Sequence, residues 1–169
     1  QAGFDGNCLN APQEMNAGYQ AEYVRFKNAG WALIKVPGEA SDYTDADLNS
    51  FLTLADVIAT GYHAAASAEV KEGDTVVVMG DGAVGLCGVI AARMRGAKRI
   101  IAMSRHVDRQ ELALEFGATD IVAERGDEAV AKVMAMTHGS GADAALECVG
   151  TQLSLDTAAK VCRPGVIVG

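Results

Sequence analysis

The second half of the chain alternates between short apolar runs and longer segments in which apolar residues recur at helical spacing. The runs Thr75–Met79 and Arg99–Met103 are apolar at nearly every position, a pattern typical of parallel strands that are buried on both faces. Further strands are predicted at 120–123, 142–149 and 166–168, with helices at 84–95, 108–116, 128–136 and 154–161. Because strands and helices alternate, the pattern predicts βαβ units and an α/β fold with a doubly wound parallel sheet.

The first seventy residues carry weaker signals. Residues 1–18 are rich in Gly, Asn and Pro and are expected to form a loop, followed by short strands at 21–26 and 32–36 with a turn between them. Apolar residues then recur at helical spacing over 48–68, where Gly61 is expected to break the helix into two pieces. This part therefore predicts a small β-rich unit followed by helices.

Composition and charge narrow the class of protein. Half of the 169 residues are hydrophobic, which is enough for one well-buried domain with a smaller appendage. The formal net charge of −8 argues against a nucleic-acid partner, because phosphate backbones are bound by basic surfaces. No apolar run approaches membrane-spanning length and no signal peptide opens the chain, so no membrane partner is expected.

The cysteines bear on the cellular compartment, and the two ends of the chain bear on the length of the complete protein. The cysteines form no C-x-x-C pair, and Cys87, Cys148 and Cys162 fall in apolar runs, where we expect small core residues. Free thiols of this kind favour a reducing compartment, so we expect a cytoplasmic protein. The chain begins at Gln1 without a methionine and ends at Gly169 directly after an apolar run, so we expect both ends to be cuts through a longer protein.

A glycine loop lies between the first central strand and its helix. Residues 80–85 read GDGAVG, and a G-x-G-x-x-G sequence between a strand and a helix is typical of a dinucleotide-binding site. Gly80 would permit the tight turn, Gly82 would let a pyrophosphate approach the backbone, and Gly85 would let the helix pack closely on the sheet. The free N–H groups at the helix start would then bind the pyrophosphate. Asp81 adds negative charge near this site, so we expect its side chain to point to solvent.

The residues after the second strand bear on the choice of cofactor. An NAD site usually has Asp or Glu here, whereas this strand is followed by Ser104, Arg105 and His106, with Arg109 close behind. A guanidinium pairs well with phosphate and a hydroxyl can donate to it, so the composition favours the 2′-phosphate of NADP. Asp108, expected to cap the next helix, keeps NAD open as the alternative.

Four segments together resemble the zinc-dependent medium-chain alcohol dehydrogenases. The first is GDTVVVMGDGAVG over 73–85, which resembles the coenzyme loop of that family. FGATD over 116–120 resembles its entry into the third strand, and GADAALECVG over 141–150 resembles its fourth strand. ADVIATGYH over 55–63 resembles a segment before the cofactor domain. The resemblance covers roughly residues 18–169.

The resemblance implies a division into domains. Residues 1–50 would be a β-rich remnant of a GroES-like catalytic domain, 51–72 the connecting helices, and 73–169 a Rossmann-type NAD(P)-binding domain that is truncated at its C-terminus. The residues expected to bind the cofactor are Gly80, Gly82, Ala83, Val84, Gly85, Ser104, Arg105, His106, Arg109, Cys148, Val149 and Gly150.

For the chemistry, the resemblance implies a catalytic zinc in the complete enzyme. Asp56 matches a ligand position that is Asp in some bacterial members, and Thr60 matches a catalytic position near the nicotinamide. The family's early Cys ligand and its G-H-E segment are not found in this sequence. One carboxylate cannot hold a tetrahedral zinc, so we expect no zinc bound here.

The function implied is that of an oxidoreductase. We expect an NADP-preferring zinc alcohol dehydrogenase that transfers hydride between an alcohol and an aldehyde or ketone, is a homo-oligomer when complete, and is catalytically incomplete as this fragment. Two alternatives stay open: a zinc-free quinone or enoyl reductase of the same superfamily, and a non-catalytic dinucleotide-binding module.

Overall fold

The computed structural model describes residues 28–169. The chain divides into two compact units, Gln1–Asp45 and Ala46–Gly169. The described part of the first unit contains a short helix, α1 (Ala29–Ala32), and a 3₁₀ turn, Ala40–Asp42. The loop expected at 1–18 and the strand expected at 21–26 lie outside the described residues.

The strand expected at 32–36 is wrong, and the turn expected just before it is present at Asn28 as the start of a short helix. Helix α1 begins directly after Asn28 and ends at Ala32, and residues 33–36 form no regular structure. Ile34 is 96% exposed. A strand needs a neighbour for its backbone groups, and within residues 28–169 the sheet is formed elsewhere, by four strands of the second unit.

The second unit is built around a parallel sheet. Its strands are β1 (Thr75–Met79), β2 (Arg99–Met103), β3 (Asp120–Val122) and β4 (Ala144–Glu147). They lie in the order β3-β2-β1-β4, and every pairing is parallel. The fifth strand expected at 166–168 is present only as one bridge, in which Val168 pairs with Ala145 beside β4.

Helices cover both faces of this sheet. In chain order the helices of this part of the chain are α2 (Asp45–Leu52), α3 (Val57–Ser67), α4 (Ala83–Met94), α5 (Val107–Phe116), α6 (Gly126–Met136) and α7 (Gln152–Val161). Helices α3, α4 and α5 pack on one face and α6 and α7 on the other, whereas α2 buries no residue. The fold class predicted from the alternation of strands and helices is therefore confirmed. Within residues 28–169, no helix combines the length and the apolar character needed to cross a membrane.

Alternate residues of the strands supply two separate hydrophobic cores. Val76 and Val78 point to one face, where they belong to a core that includes Ala65 of α3 and Val89 of α4. Val77 lies in the core of the opposite face, which is completed by residues of α6 and α7. Polar side chains are disfavoured in a strand that is buried on both faces, which explains the continuous apolar runs in the sequence.

The break expected at Gly61 is wrong, because this glycine lies buried inside α3. The chain instead breaks at Asp56, between a 3₁₀ turn and the start of α3. A Cβ atom at position 61 would lie 2.7 Å from the backbone of Cys87 and Gly88 in α4. The glycine therefore lets two helices pack backbone to backbone.

The cap expected at Asp108 is also wrong. The N-cap of α5 is His106, and Asp108 lies in the first turn of the helix. A carboxylate there still interacts favourably with the positive end of the helix dipole. The sequence therefore indicates the correct end of the helix but the wrong N-cap residue.

Candidate functional site

The glycine loop connects the carboxyl end of β1 to α4, as the sequence predicts. Gly80 has a φ of +108°, a left-handed conformation that side chains rarely adopt. A Cβ atom at Gly85 would lie 2.1 Å from the carbonyl oxygen of Gly80, so α4 can start this close to the strand only with glycine. Two of the three glycines are thus required by the fold itself.

Gly82 differs from these two glycines because the protein does not crowd it. It is the N-cap of α4, with an extended backbone, and a Cβ atom there would meet nothing within 4 Å. The first helical hydrogen bond runs from the amide of Leu86 to the carbonyl of Gly82. The amides of Ala83, Val84 and Gly85 come before it and have no partner within the helix. This open cradle with free N–H groups fits a pyrophosphate.

A cavity of about 310 Å³ lies beside this loop at the carboxyl ends of the strands. Ligands of open α/β sheets bind at this edge. Residues after all four strands line it, and α7 closes it with Leu153, Ser154 and Thr157. The remaining lining residues are Met79, Gly80, Asp81, Met103, Ser104, Arg105, Glu124, Arg125, Gly126, Val149 and Thr151.

The side chain of Asp81 does not point to solvent, which corrects the expectation from sequence. It turns toward the end of β2, where its carboxylate accepts a hydrogen bond from Ser104 Oγ at 2.8 Å. Arg109 Nη1 donates to the other carboxylate oxygen at 3.0 Å. Burial raises the pKa of Asp81, but the hydrogen bonds from Ser104 and Arg109 outweigh it, and the pKa lies below its usual value. The carboxylate is therefore ionised at neutral pH.

Ser104 is the buried member of this group. Its amide donates to the carbonyl of Val122, and its own carbonyl accepts from Gln110 Nε2 at 2.8 Å. Sequence reasoning missed Gln110, although it lies six residues after Ser104 on the first turns of α5. Together these bonds hold the Ser104 hydroxyl in place at the rim of the cavity.

The three basic residues expected near Ser104 have different environments. Arg105 is exposed and lines the cavity, and it makes no ion pair among residues 28–169. Arg109 is already paired with Asp81. His106 is exposed and is not among the residues that line the cavity. Of the three, Arg105 is the one that lines the cavity and has no ion pair among residues 28–169.

The loop after β4 contains the other predicted residues, of which Val149 lines the same cavity. Val149 lines it and is half-exposed, and Gly150 has a φ of +79°. The carboxylate of Glu147, which sequence reasoning did not single out, accepts hydrogen bonds from the amides of Val149 and Gly150. Its position in the E-C-V-G segment was the available signal. Glu147 thereby fixes the shape of this loop.

Cys148 lies in that loop as a half-buried free thiol. Burial, together with the negative charge of Glu147, raises its pKa to about 11. The thiolate is the nucleophilic form of cysteine, and the raised pKa favours the thiol form at neutral pH. The assignment of Cys148 to cofactor binding stays a prediction.

Asp56 and Thr60 lie together at the start of α3. The hydroxyl of Thr60 donates to Asp56 Oδ1 at 2.8 Å, and both residues are exposed. Residues 28–169 contain no group of three His, Cys, Asp or Glu side chains that could hold a metal ion. A tetrahedral zinc needs such a set, so the described residues alone do not fit zinc. The assignments of Asp56 to metal and Thr60 to catalysis stay predictions.

A parallel sheet covered by helices, with a glycine turn after its first strand, defines a Rossmann-type α/β domain. The chain matches the sequence profile of the zinc-binding dehydrogenases over residues 83–168, which is 86 of its 169 residues. It therefore belongs to the zinc-binding dehydrogenase family.

Individual relatives agree with this family. The chain is 36% identical to an alcohol dehydrogenase from Cupriavidus necator, over 88% of this chain and 39% of that protein. It is 34% identical to an NADP-dependent isopropanol dehydrogenase from Clostridium beijerinckii, over 92% of this chain and 48% of that protein. A solved zinc-dependent alcohol dehydrogenase from Streptococcus pneumonia superimposes with a TM-score of 0.74 at 30% identity, covering 86% of this chain and 40% of the other. The chain spans less than half the length of these relatives.

Proposed function

We propose that the complete protein is an NADP(H)-preferring zinc-dependent alcohol dehydrogenase, and that this chain supplies its dinucleotide site. The reaction would be hydride transfer between an alcohol and an aldehyde or ketone, with the nicotinamide as the second partner. The observation that carries the proposal is the open helix start at Gly82, which directly follows Gly80 and Asp81 in the wall of the cavity that Ser104 and Arg105 also line. Relatives named as alcohol dehydrogenases and as NADP-dependent isopropanol dehydrogenases support it.

Within this site, the chain's residues would bind and orient the nucleotide. The first-turn amides of α4 would hold the pyrophosphate, while Ser104 and Arg105 would lie near the adenosine ribose. Val149 would bound the cavity on the other side, with Gly150 next to it in the chain. No step through zinc is proposed for this chain, since its described residues do not form a zinc site. We propose a cytoplasmic setting because the three described cysteines are free thiols.

The cofactor preference can be tested with Arg105→Gln. We expect the wild-type chain to bind NADPH more tightly than NADH, because a guanidinium pairs with the 2′-phosphate. Arg105→Gln should raise the Kd for NADPH about tenfold while changing the Kd for NADH by less than about threefold. The measurement is a titration of each nucleotide, followed by its fluorescence on binding.

Lys98→Gln is the matched control for this experiment. Lys98 is exposed and lies just before β2, at the opposite end of the strand from Arg105. Its substitution removes the same positive charge far from the cavity. Tighter binding of NADH than NADPH by the wild type would overturn the NADP preference. Binding of neither nucleotide would overturn the dinucleotide site.

A further inference from the structure

The carboxylate of Asp81 occupies the groups that a 2′-phosphate would need. Ser104 Oγ has a single proton, and at 2.8 Å it donates that proton to Asp81. Arg109 Nη1 donates a hydrogen bond to the same carboxylate at 3.0 Å. Two of the phosphate-binding groups that the sequence offers are therefore already bound to an anion.

The position of Asp81 follows from the glycine turn. The left-handed conformation of Gly80 redirects the chain as it leaves β1, and the next side chain then lies against the end of β2. The side chain of Asp81 is only 18% exposed, and the residue lines the cavity together with Ser104 and Arg105. Its negative charge is thus held inside the cavity wall and is poorly screened by solvent.

The same carboxylate would attract a ribose hydroxyl and repel a phosphate. A ribose hydroxyl that approaches Ser104 can donate a hydrogen bond to Asp81. A phosphate in the same place would lie on the order of 5 Å from the carboxylate, close enough for strong repulsion in a partly buried site. Arg105 and Arg125 line the cavity without an ion pair among residues 28–169, so attraction to a phosphate comes from them.

We propose that Asp81 is a specificity-determining residue that opposes the 2′-phosphate and favours a free 2′-hydroxyl. The choice between NADP and NAD is then a balance between Asp81 on one side and Arg105 and Arg125 on the other. The sequence places no acid at the end of β2, and Asp81 supplies one there from the glycine loop of β1. This inference rests on the proposed function, because it places the adenosine end of the nucleotide in this cavity.

The test is Asp81→Asn, measured by calorimetric titration with 2′,5′-ADP and with 5′-AMP. These two probes differ only in the 2′-phosphate and need no nicotinamide or zinc. Asparagine keeps the size of the side chain and can still accept from Ser104, but it removes the charge. We expect the affinity for 2′,5′-ADP to rise about tenfold, while the affinity for 5′-AMP stays the same or falls.

Glu115→Gln is the control for net charge, because Glu115 is exposed and lies six residues beyond Arg109 on α5. An equal gain in Glu115→Gln would overturn the inference, since the effect would then belong to the overall charge of the chain. An unchanged ratio of the two affinities in Asp81→Asn would also overturn it, while leaving the dinucleotide site intact. If the wild-type chain bound neither probe nor NADPH, both the inference and the proposed function would fail.

Discussion

Gly82→Ala should lower the affinity for NADPH about tenfold while the protein keeps its stability. The structure leaves the space at this position empty, since a Cβ atom would meet nothing within 4 Å. Only an incoming pyrophosphate would contact the added methyl group. Alanine is a poorer N-cap than glycine but restricts the unfolded chain, so the free energy of unfolding should change by less than about 1 kcal/mol.

Nucleotide titration and thermal unfolding of the same samples measure both effects. Gly30→Ala is a matched control, because a Cβ atom there also meets nothing within 4 Å and the residue has no place in the proposed site. It should leave both the affinity and the melting temperature unchanged. Equal affinity of Gly82→Ala and wild type would mean that the pyrophosphate does not approach this loop.

Gly85→Ala should instead destabilise the fold, by about 3 kcal/mol in the free energy of unfolding. The added Cβ atom would lie 2.1 Å from the carbonyl oxygen of Gly80 and 2.7 Å from its carbon. These are backbone atoms at the end of a central strand, so they cannot move aside as a flexible side chain can. Urea unfolding of the variant should show a lower midpoint with an unchanged slope.

Gly88→Ala provides the comparison one turn further along α4. A Cβ atom there would lie 3.4 Å from Leu146 Cδ1, which is an ordinary contact with the end of a side chain. We expect this variant to stay within about 1 kcal/mol of wild type. If Gly85→Ala and Gly88→Ala unfolded at the same urea concentration, the close approach of α4 to the end of β1 would not explain the glycine at position 85.

The sheet could be predicted from the sequence because its physical signal is local. Residues such as Val76 and Val77 are both buried, although they point to opposite faces, so each central strand is an uninterrupted apolar run. The glycine loop carried the same kind of signal, since its spacing and its place between strand and helix are both visible in the chain. The fold and the glycine turn at the start of α4 could therefore be predicted.

The errors arose where the outcome depends on residues distant in sequence. Gly61 suggests a helix break in the sequence, but it lies inside α3, where the backbone of Cys87 and Gly88 in α4 leaves no room for a Cβ atom. The apolar residues around Ile34 predicted a strand, yet no neighbouring strand pairs with them within the described part of the chain. Sequence spacing contains neither piece of information.

Asp81 is the error with the largest consequence for function. Its neighbours in sequence are glycines, and only the folded chain brings it to Ser104 and Arg109, which lie 23 and 28 residues away. The sequence indicates Ser104 and Arg105 at this edge, with the Asp81 side chain expected to point to solvent. The structure instead places the ionised Asp81 carboxylate against Ser104, where it opposes a phosphate.

The central claim is that the first-turn amides of α4 bind the diphosphate of the nucleotide. It is tested most directly by following backbone amide resonances of the isotope-labelled chain while ADP-ribose is added. We expect the largest shifts at residues 82–86, with smaller shifts around Ser104 and Val149. Unchanged resonances at residues 82–86, with saturable shifts elsewhere in the chain, would contradict the account.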